Sequence, residues 1–330
     1  MRVIRFILIT FISFTSGLNV AQAGYVEKAS YLYPIMIDIR HKDYDSAMAK
    51  LEPYVLENDP NALFWYGYMK QSKFGRGRFG AYRWFEKSGS LGNPYGVFKL
   101  SGADSTDYVC EVNGWECSDE NLDKAIELWK ELAAEGDVRA KYLASVYDRS
   151  IPGLWYEVIT GKDLDRIREA CEGGYCKPIR DLFWSAMNND ENSKEDWGKD
   201  KFQLIIDFVD KDPAIATYRA EFAYEGLTDE ERIDLLIDSL KKGYYLAGNY
   251  LYSFAEHNDS ISYEDAYVYA EVASMGGWGH GVTTYLVNKK LVSEEKIPEL
   301  KLRAQEFYDN IDHVINFDEM DFMYMSRPDV

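Results

Sequence analysis

Four histidines, His41, His257, His280 and His313, are the residues of this chain best suited to general-base or metal chemistry. They are scattered, and none has a second ligand at helical metal spacing, so each reads as a surface or packing residue. The string Gly75-Arg76-Gly77-Arg78-Phe79-Gly80 satisfies G-x-G-x-x-G. A nucleotide site of that kind needs a preceding strand and a following helix inside a βαβ unit, and neither neighbour of this loop reads as a strand. Ser88-Gly89-Ser90-Leu91-Gly92 resembles a nucleophile elbow only loosely, because serine stands two residues before Ser90 and no strand leads in. The acidic run from Asn188 to Asp196 lacks the central glycine and distal glutamate of a calcium loop and reads as a solvated connector. No catalytic residue, metal site or cofactor is expected, and the chain is not expected to be an enzyme.

The cysteines fall in two local pairs, Cys110 with Cys117 and Cys171 with Cys176. Four cysteines allow three connectivities; the short intervals favour the two local bridges in an oxidising compartment. The spacings C-x6-C and C-x4-C with no histidine nearby do not resemble a zinc site.

Such a compartment is also what the N-terminus implies. Arg2 and Arg5 precede an apolar run from Phe6 to about Val20, and Ala21-Gln22-Ala23 then meets Gly24. This is the layout of a secretory signal, with an apolar core too short for a membrane span. Residues 1–23 are therefore expected to be removed, leaving a soluble periplasmic chain with no cysteine at the cleavage point to carry a lipid. Losing those two arginines takes the net charge from −19 to −21. Such acidity repels nucleic acid and anionic lipid and speeds encounter with a basic partner, although it also serves simply to keep a secreted protein soluble.

Amphipathic helical spacing recurs along the rest of the chain. Helices are expected over 27–40 and 43–57, 61–72 and 81–90, and then, after an insertion holding Cys110 and Cys117, over 123–137. Further pairs are expected over 138–147 with 163–173, 178–187 with 199–211, 214–224 with 229–243, 246–255 with 263–276, and 279–287 with 293–310. The second helices end near Asn58, Gly92, Gly136, Gly173, Asp212, Gly243, Gly276 and Asn310, at intervals of 34, 44, 37, 39, 31, 33 and 34 residues. A two-helix period in the mid-thirties is the signature of a tetratricopeptide-type array. One helical hairpin cannot bury its own apolar face, whereas stacked hairpins share a continuous core. The glycines fit as helix C-caps.

Three segments carry a closer likeness: Ala81-Tyr82-Arg83-Trp84-Phe85-Glu86-Lys87-Ser88-Gly89-Ser90-Leu91-Gly92, Lys124-Ala125-Ile126-Glu127-Leu128-Trp129-Lys130-Glu131-Leu132-Ala133-Ala134-Glu135-Gly136, and Ala140-Lys141-Tyr142-Leu143-Ala144-Ser145-Val146-Tyr147. They resemble the Sel-1-like repeat family, whose unit joins a first helix ending in a Leu-Gly-x-x-Tyr-like segment to a second ending in Trp-Tyr-x-Lys-Ala-Ala-x-x-Gly. The resemblance covers 62–147 and continues at pattern level over 160–310, with departures such as Asp212 where glycine is expected. It implies an all-α fold, a right-handed superhelical α-solenoid of about seven to eight antiparallel hairpins over 24–313, with 314–330 as an irregular cap or tail. It also implies an interaction scaffold whose concave face is lined by first helices. Secreted members of the family include cysteine-rich proteins linked to penicillin binding. They also include immunity proteins encoded beside type VI secretion toxins, phospholipases among them.

Aromatic residues make up 15% of the chain, so the register of the first helices decides which of them are core. Taking Tyr66, Leu100, Leu143, Leu182, Ala220 and Leu251 as the buried leucine-equivalent positions, residues two before and two after should face the groove. That rule selects Phe64, Tyr68, Phe98, Lys141, Arg180, Trp184, Tyr218 and Phe222 as a partner-binding set. Large aromatics and arginine on a solvated groove are the usual anchors of interfaces; a one-residue register error would return them to the core. The reading that follows is a periplasmic protein-binding solenoid, an immunity protein that covers the active site of a periplasm-targeted toxin with a basic face. The alternatives are an envelope adaptor or regulator of peptidoglycan enzymes or a secretion system, and a weak penicillin-binding hydrolase.

Overall fold

A computed structural model describes residues 25–27, 29–73, 80–101, 103, 114–148, 164–188, 199–222, 226–257, 260–279, 281–311 and 314–316. Strand β1 (Tyr25–Glu27) leads into α1 (Leu32–Arg40), α2 (Tyr44–Leu56), α3 (Pro60–Lys73), α4 (Tyr82–Ser90) and the short α5 (Pro94–Phe98). Then come α6 (Asp119–Ala134), α7 (Val138–Val146), α8 (Leu164–Glu172), α9 (Lys177–Asn188), α10 (Lys199–Phe208) and α11 (Pro213–Glu221). The series ends with α12 (Asp229–Lys241), α13 (Leu246–His257), α14 (Tyr263–Met275), α15 (Gly281–Asn288), α16 (Ile297–Asp309) and strand β2 (Val314–Asn316). The chain is thus a succession of packed helical hairpins, an α-solenoid.

A two-residue turn explains the regular stacking. After α4 the backbone passes through a left-handed Gly92 (φ +95°), and the Asn93 N–H closes back on the Ser88 carbonyl at 3.2 Å. This is a Schellman-type stop that a side chain at the left-handed position would strain. The Asn93 side chain then accepts the N–H groups of Tyr95 and Gly96 and so caps α5. One helix ends and the next begins within two residues, which fixes the angle between them. Asn58-Asp59 and Gly136-Asp137 repeat the device, with Asp59 and Asp137 accepting from Ala62 and Ala140. Asp212 shares the capping half of the device without a left-handed residue before it: it stands where glycine was expected and caps the following helix, accepting from Ala214 and Ile215. Two of the expected glycine caps move by one residue. The left-handed positions are Gly174 and Gly277, whereas a Cβ on Gly173 would strike Val138 and one on Gly276 would fall inside the Tyr245 ring.

Most helices pack on the next, with α8 also meeting α10 and α14 meeting α16, and first helices also meet across neighbouring hairpins, α9 with α11 and α11 with α13. A buried core cluster reaches from Tyr33 to Ile311, anchored by fully buried Trp65, Trp129 and Tyr245. Cys171 and Cys176 are disulfide-bonded across the α8–α9 turn, with Cα atoms 4.1 Å apart. Cys117 is also disulfide-bonded; its expected partner Cys110 lies outside the described residues, as does the expected leader, residues 1–23.

The ends of the array do not stay apart. Strand β1 pairs antiparallel with β2, Val26 opposite Ile315, so the segment expected as the start of an irregular tail is a strand, while 317–330 lie outside the described residues. Behind this pair, the Arg40 guanidinium lies over the Trp278 indole at 5.3 Å and donates to the Gly276 carbonyl at 3.3 Å. The His41 ring bonds to the Ser274 carbonyl at 3.0 Å. The first hairpin therefore caps the last ones, and the solenoid closes on itself.

Candidate functional site

The first helices were expected to present one face to a groove. In the structure α3, α5 and α11 are covered on nearly every side, which suits helices that are apolar around most of their circumference. Phe64 is 1% exposed and packs against Trp65, Phe85 and Tyr95. Tyr68 is buried, and that burial pushes its hydroxyl well above the usual tyrosine range. Phe98 is wholly enclosed between Trp129 and Tyr147. Arg180 is buried, and Tyr218 stacks on Phe183 at 4.9 Å while its hydroxyl meets that of Tyr244 at 3.2 Å.

These five residues are core and not groove. Leu100, Leu143, Leu182, Ala220 and Leu251 are buried as expected, but a helix enclosed on both sides buries the residues two away as well. In α3 the register is turned over: Tyr66 is the half-buried one, edge-on to Trp84, while its neighbours at 64 and 68 are inside. Phe222 is half-buried, touching Phe183 and Tyr250. Lys141 alone of the described set is well exposed, ion-paired with Glu169 across an open cleft of about 660 Å³ between α7 and α8. Trp184 lies on α9 with its side chain outside the described residues.

Polar chemistry on the inner side is concentrated near α11 and α13. The carboxyl of Glu221 is pushed up by burial, an effect opposed by the Arg232 charge 4.0 Å away. Arg232 is held in place by the Ala220 carbonyl at 2.7 Å and the Phe254 ring at 4.6 Å. Burial also pushes the Tyr250 hydroxyl up to about 12, helped by the nearby Tyr218 hydroxyl and Glu221 carboxyl. This is a charge pair settled among rings. His257 bonds to the carbonyl of Ser253, one turn back on its own helix. Among the described residues no three histidine, cysteine or acidic side chains gather as metal ligands would.

What the molecule does present is acid on its second helices. On α6, Asp119, Glu120, Asp123, Glu127 and Glu131 are exposed with only Lys124 and Lys130 among them, and Lys130 pairs with Glu127. On α12 the exposed residues include Asp229, Glu230, Glu231, Asp234 and Asp238. The sequence signal for this surface was present as net charge.

Fold and surface together define a helical-hairpin repeat protein, a class whose extended surfaces bind other proteins. No protein-family model and no curated protein matches the chain. Among solved structures it is similar to c5321, a protective antigen present in uropathogenic Escherichia coli strains whose crystal structure displays an SLR fold. The two are 14% identical over 81% of this chain, with a TM-score of 0.31, and the match spans 64% of that protein's length.

Proposed function

We propose that this chain is a non-enzymatic, periplasmic protein-binding solenoid, and that it acts as an immunity protein neutralising a periplasm-targeted toxin, such as a type VI phospholipase, through a basic face of that toxin. The observation that carries the reading is the acid exposed on α6 and α12, in a chain of net charge −19. Opposite charge on a partner would speed encounter and fix its orientation. The paired cysteines and the N-terminal leader sequence support an oxidising compartment. No helix among the described residues is long and apolar enough to cross a membrane.

The test is co-purification with a secreted toxin encoded beside this chain, together with protection of cells that receive the toxin in the periplasm. Binding that weakens with salt, and weakens again when Asp119, Asp123 and Glu127 are changed to Asn or Gln, is the expected result. Absence of both binding and protection would sink the immunity reading.

A further inference from the structure

The contacts that close the ring are partly an extension of the core, to which Tyr33 and Tyr245 both belong, and partly short pairings at its edge. Neighbouring helices are joined through the continuous apolar core, and in a repeat array each such interface stabilises its own neighbours independently of distant ones. The closing contacts are small and polar at their edges. Among the described residues they include a pairing of three-residue strands, a tyrosine cluster of Tyr33, Tyr245 and Tyr308, the Arg40 contacts with Gly276 and Trp278 and the His41 bond to Ser274. A two-stranded ribbon this short is marginal by itself, and Trp278 stays 39% exposed. Gly277, left-handed at φ +87°, holds the turn so close to Arg40 that a Cβ there would collide with the arginine side chain.

We propose that β1 (Tyr25–Glu27) and the Arg40-His41 corner form a reversible clasp, docking on β2 and on the 274–278 turn, whose release opens the ring and uncovers the tyrosine cluster while the repeats remain folded. Local openings of this kind range from nearly free to as costly as global unfolding. The three-residue strand pair and the 39% exposure of Trp278 place its edge toward the low end, below α13 and α14. The clasp does not depend on which partner the protein binds.

Hydrogen exchange on the full mature chain tests this without any substitution. Amides of 25–27, 274–278 and 314–316 are expected to exchange as one unit, roughly tenfold or more faster than those in the middle of α13 and α14. Exchange at the rate of those helices would overturn the proposal. A Val26→Cys/Ile315→Cys chain, whose positions face each other in the strand pair, is expected to cross-link internally and slow that unit selectively; unchanged exchange after cross-linking would overturn it. Conversely, Gly277→Ala is expected to raise the radius of gyration in X-ray scattering while far-UV circular dichroism keeps its helical signal. Loss of the helical signal together with closure would show that the clasp is part of one cooperative unit and would refute the idea.

Discussion

The hydroxyl of Tyr33 lies 2.9 Å from that of Tyr245, 212 residues later in the chain. The second ring is fully buried and stacks on Tyr308. Burial pushes both hydroxyls well above the ordinary tyrosine range. Tyr245→Phe should remove one buried hydrogen bond and cost about 1 kcal/mol, read as a lower urea midpoint.

The same pair makes stability fall in alkali. The unfolded chain releases its tyrosine protons near pH 10, while the folded chain keeps them on Tyr33 and Tyr245. Stability from this source is therefore full below pH 10 and declines above it, as the unfolded state gains charge that the folded state does not. Urea titrations between pH 8 and 11 should show the decline, shallower in Tyr245→Phe; identical slopes would contradict the assignment.

Where α4 crosses α5, backbone meets backbone. A Cβ on Gly96 would sit 2.8 Å from the Phe85 carbonyl oxygen and 3.0 Å from the Gly89 nitrogen. Neither atom can turn aside as a side chain would, so Gly96→Ala should cost about 1–3 kcal/mol. Gly92→Ala tests a different property, the left-handed turn in open space, and should cost about 1–2 kcal/mol from backbone strain alone. Thermal melts of the two variants separate the effects.

Asp212 is buried and holds the first turn of α11 through its carboxylate. Asp212→Ala should destabilise by about 1–2 kcal/mol, and Asp212→Asn, which keeps a capping oxygen, by less. Equal losses would mean that the charge, and not the cap, matters.

Joining Cys171 to Cys176 closes a loop of a few residues, for which chain entropy predicts about 2 kcal/mol. The double change to alanine suits this interior site, where both residues are at most 1% exposed. It should lower the melting temperature without altering the circular dichroism spectrum.

The helices were legible because their signals are local: apolar spacing, and glycine at intervals in the mid-thirties. Asn93 and Asp137 were equally visible beside Gly92 and Gly136, yet their capping role emerges only when the turn is seen to end one helix and start another. The burial of Phe64, Phe98 and Tyr218 was not legible. Periodicity assigns one face to the core, but it cannot tell a helix covered on one side from one enclosed by neighbours on both. Closure was hidden for a related reason, since Val26 and Ile315 carry no pattern that names a partner almost 290 positions away.

Because β1 and β2 lie side by side, the order of the hairpins in the gene is not the order that packing requires. A chain cut at the Gly136-Asp137 turn, with Tyr25 and Asn316 joined by a short linker, would keep every helix beside its present neighbours. Labels fused to either end of the array would report from the same place on its surface.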